Sequence, residues 1–141
     1  MSKFTKLLPV PEQWVMVRDE GTGLVWTADN VSPERLTFAD AKKAIVAMNA
    51  ARFGGYDDWR LPTITELLTL VDYTRHNPAI DTDVFRNAKP NWYWSSSPGA
   101  SSPADYAWGV GFGNGFSGYD HRSNDAFVRA VRSVSPASAG Q

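Results

Sequence analysis

Hydrophobic positions along this chain change period part-way through. Phe38, Ala41, Ile45 and Met48 recur at helical spacing, which predicts a helix with one buried stripe. Thr37 can cap that helix, with Asp40 at the third position, and Gly54-Gly55 supplies the left-handed geometry that ends the segment. The same spacing returns in Ile64, Leu67, Leu68 and Val71. Here Thr63 and Glu66 make a capping box, while Pro62 holds the incoming chain out of helical geometry. Trp59 and Arg60 stand just ahead, as a ring and a fixed cation that anchor the loop. A structural role is the main reading of that segment.

Elsewhere the period is two. Residues 14–17 and 24–27 predict partner strands around the turn Asp19-Glu20-Gly21-Thr22-Gly23. A short strand follows at 92–96, then a Ser/Pro/Gly loop at 97–103. In the clearest alternation, Tyr106, Trp108, Val110 and Phe112 point one way, and Ala107, Gly109 and Gly111 the other. Of the first set, Trp108, Val110 and Phe112 are assigned chiefly to the core. Asn114-Gly115 predicts a two-residue hairpin turn, returning through 116–119. A polar loop at 120–125 leads to a final strand over 127–134.

Pro9 and Pro11 oppose regular pairing, so residues 1–12 read as an N-terminal arm. Residues 13–134 form one domain, and 135–141 a small, polar, disordered tail. Two helices packed on a loop-rich antiparallel sheet, with the first and last strands able to pair, make the fold class α+β.

At 141 residues the chain supports a single core. A net charge of -1, with dispersed basic residues, gives no electrostatic case for nucleic acid or an anionic membrane. The absence of cysteine removes disulfides, thiolate metal sites and a cysteine nucleophile. It fits a cytosolic origin, or a virion protein assembled there and exposed later. The N-terminus lacks the apolar core of a convincing signal peptide, and the apolar run at 44–48 is far too short to span a bilayer. Six tryptophans supply much of the expected core.

No catalytic set emerges. His76 and His121 lie far apart and in no metal-ligand spacing. Ser117 lacks the flanks of a nucleophile elbow, and Asp57-Asp58 reads as solvated loop acid. Asp81-Thr82-Asp83 offers hard oxygens but not the glycine and distal glutamate of a calcium loop, and a structural calcium there stays open. No metal or other cofactor is assigned. Ligand contact is expected within 105–125, at Trp108, Asn114, Phe116, Tyr119, Asp120, His121, Arg122 and Asn124. Aromatic rings beside adaptable polar groups are what binding surfaces use, and flat rings suit the apolar faces of sugars.

The stretch Asp58-Trp59-Arg60-Leu61-Pro62-Thr63-Ile64-Thr65-Glu66-Leu67-Leu68 also carries a resemblance. With Gly23-Leu24-Val25-Trp26-Thr27, Tyr93-Trp94-Ser95-Ser96-Ser97 and Val128-Arg129-Ala130-Val131-Arg132, it resembles the C-terminal domain family of Legionella collagen-like adhesins, in order over about 14–132. The resemblance implies a C-type lectin-like fold and a binding module, extracellular or phage-borne, rather than an enzyme. Sugar-bridging calcium sites of such lectins resemble Glu-Pro-Asn; the nearest triplet here, Lys89-Pro90-Asn91, puts a cation in the acid's place. A related enzyme branch, the formylglycine-generating type, uses cysteines this chain lacks. The makeup of 114–125 is similar to the variable positions of diversity-generating retroelement proteins. The expectation is a non-enzymatic module recognising a cell-surface glycan or protein receptor, displayed by a virion or cell surface. The alternative is a structural or assembly domain packing on its own copies, as a homo-oligomer, or on a neighbouring virion protein.

Overall fold

Local capping sets the two helices. In the computed structural model, which describes residues 3–7 and 14–133, α1 runs Phe38–Ala50 and buries Phe38, Ala41 and Ile45. The Thr37 hydroxyl accepts the Asp40 N–H at 3.2 Å. α2, Ile64–Leu68, begins on the expected capping box: Thr63 Oγ1 accepts the Glu66 N–H at 3.2 Å, and the Glu66 carboxylate accepts the Thr63 N–H at 2.9 Å. The helix is short, and its apolar stripe continues as tight turns, with the Leu70 and Val71 N–H groups bonded to carbonyls three residues back.

Among the described residues the strands form two antiparallel sheets rather than the single sheet expected. One has the order β1 (Phe4–Leu7), β2 (Met16–Asp19), β3 (Val25–Thr27), β7 (Val131–Arg132), and the other is β4 (Trp92–Pro98), β5 (Tyr106–Gly111), β6 (Phe116–His121). The stretch read as an arm therefore contributes an edge strand, Phe4 opposite Asp19 and Leu7 opposite Met16. The prolines thought to forbid pairing, Pro9 and Pro11, lie outside the described residues. The closing strand pairs with β3, Trp26 opposite Val131, and not with the first strand.

The closing strand is also shorter than expected, because residues 126–131 divide their backbone partners among several elements. Ala126 bridges Leu36, Phe127 bridges Tyr93, and Val131 bridges Arg60. Val134 and the expected tail at 135–141 lie outside the described residues. The hairpin turn is four residues long rather than two. Gly111 pairs with Phe116, so 112–115 make the turn, Phe112 leaves the strand, and Gly115 takes a φ of 85°.

Adjacent residues of β4 face opposite ways and hold two apolar clusters together. Tyr93 packs edge-on to Phe112 at 5.2 Å in one cluster, and Trp94 edge-on to Phe38 at 5.6 Å in the other. The 57–61 loop is structural, as its residues suggested. Trp59 is buried, its indole donates to the Phe53 carbonyl at 2.9 Å, and the Asn49 amide bonds both its N–H and its C=O. Asp58 takes two bonds from Arg132, at 2.7 and 3.1 Å, tying the loop to β7.

Candidate functional site

Pairing of β5 with β6 sets Tyr106 opposite His121, Trp108 opposite Tyr119, and Val110 opposite Ser117. Alternation puts all six on one face of the sheet. The rings meet edge to face: Trp108 and Tyr119 at 5.3 Å, Tyr106 and Tyr119 at 5.8 Å, Tyr106 and His121 at 5.3 Å. Tyr119 is 57 % exposed, His121 exposed, and Tyr106 and Trp108 half-buried. The expectation that Trp108 lies in the core with Val110 and Phe112 is corrected here, since its ring stays half-buried. Tyr93 and Phe112 cover the Val110 end of this face, and the Tyr106 end stays open.

The opposite face is built around Trp92. Side chains are missing at Gly109, Gly111 and Gly118, and the Trp92 ring lies against all three. A Cβ on Gly109 would stand 2.8 Å from Trp92 Nε1, and one on Gly118 would stand 3.2 Å from its Cη2. Phe116 belongs to this side by alternation and is 71 % exposed.

The eight residues singled out in the sequence therefore separate. Trp108, Tyr119 and His121 come together, joined by Tyr106, which is not among the eight; its alternation with Trp108 was the available signal, and the register sets it opposite His121. Asn114 sits in the turn at the far end of the hairpin, and Phe116 faces the other side. Asp120 Oδ1 accepts from the His121 N–H and from Asn124 Nδ2, each at 2.8 Å, so Asp120 and Asn124 brace the following loop. Arg122 leaves the hairpin. It donates to the carbonyls of Tyr106 and Pro103, and its guanidinium lies 4.3 Å from the centre of the Phe38 ring on α1.

His121 Nδ1 lies 2.7 Å from Ser123 Oγ, a local contact at an exposed turn. The carboxylates considered for calcium already surround a cation. Arg75 stands 3.2 Å from Asp72, 3.4 Å from Asp81 and 3.6 Å from Asp83. The Thr74 hydroxyl and N–H, more than Arg75, hold Asp72 below the usual carboxylate range. Among the described residues, no group of three or more His, Cys, Asp or Glu side chains is placed to hold a metal.

The model of the Lcl C-terminal domain family matches residues 15–132. The chain belongs to this family. The match takes in both sheets from β2 to β7, so the aromatic hairpin lies inside the family domain and β1 lies ahead of it. Comparison with curated proteins gave no match. Membership suggests an adhesin-type module.

Proposed function

We propose that this domain is a non-enzymatic recognition module of the C-type lectin-like class whose contact surface is the open face of the β5–β6 hairpin. One observation carries the reading: Tyr106, Trp108, Tyr119 and His121 form a continuous, partly exposed, edge-to-face aromatic array on paired strands. Rigid rings give large contact area at low entropic cost, and their polar edges still donate and accept hydrogen bonds. Such a surface suits the apolar face of a sugar ring or an apolar side chain of a protein receptor. The partner is a cell-surface glycan or protein, met from a virion or a bacterial surface.

Ser117, Tyr119 and His121 point outward from an edge strand, so they can be exchanged without disturbing either apolar cluster. That supports a variable receptor-binding role. An adenine-rich run of codons over 114–125, with a near-copy of that DNA close by, is the expected signature.

The test is the double variant Trp108→Ala with Tyr119→Ala, assayed on whole cells and on a glycan panel. Buried aromatic anchors commonly cost 2 kcal/mol or more when truncated, roughly thirtyfold in affinity. Binding should fall by at least that factor with the melting temperature within a few degrees. A folded double variant that binds as before would reject the hairpin. Loss of a defined oligomer, with no cell or glycan binding in the parent, would instead support the assembly reading.

A further inference from the structure

We propose that the groove between α1 and the 59–63 loop is a second binding site, for a small amphipathic anion with a hydrocarbon body and one anionic head. The groove is open to solvent and offers about 740 Å³, within the size range of small-molecule sites. Its floor is apolar, made by Phe38, Ile45, Val46, Trp59 and Leu61. Val46 is 68 % exposed although it sits on the helix that packs the core.

The charge around this floor has one sign. Lys42, Arg60 and Arg122 line the groove, and no carboxylate does. Arg60 is already spent on Glu66, with Nη1 and Nη2 at 2.7 and 2.8 Å. The uncompensated charge is that of Lys42 and Arg122, neither of which has an ion-pair partner among the described residues. Both lean on one ring: Lys42 Nζ is 5.8 Å and Arg122 Cζ 4.3 Å from the centre of Phe38. Of the neutral polar side chains, Asn49 is committed to the Trp59 backbone and Thr63 to its helix cap, which leaves the exposed Ser96 hydroxyl. Arg122 keeps its charge unpaired while its Nε and Nη2 hold the Tyr106 and Pro103 carbonyls. What remains to recognise a ligand is an apolar floor, the Ser96 hydroxyl and two cations at one end. An anionic head beside Lys42 and Arg122, with its chain over Val46 and Trp59, satisfies the cations and the floor. This site also gives Arg122 a role that the aromatic hairpin does not use.

The test uses decanoate below its micelle concentration, with decanol as the neutral counterpart, followed by the Trp59 indole N–H and the amides of α1 in NMR spectra. The expected result is saturable decanoate binding that moves these signals, at least about tenfold tighter than decanol. Lys42→Glu should weaken decanoate about tenfold or more, while Lys42→Arg retains it. A second variant, Val46→Glu, should block decanoate and decanol alike without lowering the melting temperature. Equal affinity for the two probes, unchanged binding in Lys42→Glu, or no saturable shift at the Trp59 indole would each overturn the proposal.

Discussion

The guanidinium of Arg129 lies 5.3 Å from the centre of the Phe85 ring, in a side chain only 1 % exposed. Its Nη atoms donate to the carbonyls of Ala28 and Arg86 at 2.8 Å and of Thr27 at 3.3 Å. Burial pushes its pKa down, and burial pushes that of neighbouring Tyr93 up. A guanidinium stays charged under such pressure, so this cation is held by carbonyl dipoles and ring faces together.

Removing it takes a donor from three carbonyls at once, of which that of Ala28 keeps the Arg86 N–H. Arg129→Ala should destabilise the fold by about 3 kcal/mol or more, read from urea unfolding. Arg129→Lys should recover less than half of that, because one ammonium cannot span the fork. An alanine variant within about 1 kcal/mol of the parent would show that the cation is dispensable.

Gly109→Ala is expected to be among the worst single-methyl changes in the chain. The new Cβ would meet the Tyr93 carbonyl oxygen as well as the Trp92 indole at 2.8 Å, and backbone cannot yield as a flexible side chain can. Gly118→Ala, at 3.2 Å from the edge of the same indole, should cost less. Thermal melts of both variants give the order, and equal melting temperatures would contradict the seating of Trp92.

Acid should weaken the fold through Glu66 and Asp58. Glu66 is held below the usual carboxylate range first by the Arg60 fork, and Asp58 by Arg132. A carboxyl whose folded pKa is depressed adds stability above its unfolded value and loses it as pH falls through the folded one. Stability should therefore be flat from neutral pH to about 5 and decline below. Glu66→Gln should flatten part of that decline, at a cost of roughly 1 kcal/mol near neutral pH because the pair is partly exposed. Thr63→Ala removes the cap itself and should cost about 0.5–2 kcal/mol. Urea titrations across pH check all three statements.

Ligand binding should persist in excess EDTA. Arg75 already supplies the positive charge between Asp72, Asp81 and Asp83, and a calcium ion would have to displace it. Binding that fails in chelator and returns with calcium would contradict this arrangement.

What could be read from the sequence was what neighbours in sequence decide. Thr63 and Glu66 sit three apart, and their capping box needs nothing else. Trp59 beside Arg60 announced an anchor, and the ring is buried. The direction of each side chain on β5 followed from alternation alone. Which end of that strand is covered did not, because Val110 shares a buried cluster with Tyr93 of the neighbouring β4 while Trp108 stays half-buried, and that partner is distant in sequence. For the same reason the alternation at Gly109 gave no sign of the Trp92 ring that lies against it. Arg129 looked like any strand cation, since its carbonyl partners come from distant parts of the chain. The eight candidate residues were near one another in sequence, and strand alternation divided them between two faces.

Residues 126–132 thread between Leu36, Tyr93, Arg60 and β3, and they supply Phe127, Val128 and Val131 to both apolar clusters. During synthesis, a nascent chain that ends near residue 125 has neither cluster closed, however long the ribosome pauses. Closure of both clusters therefore waits for residues 126–131 to emerge.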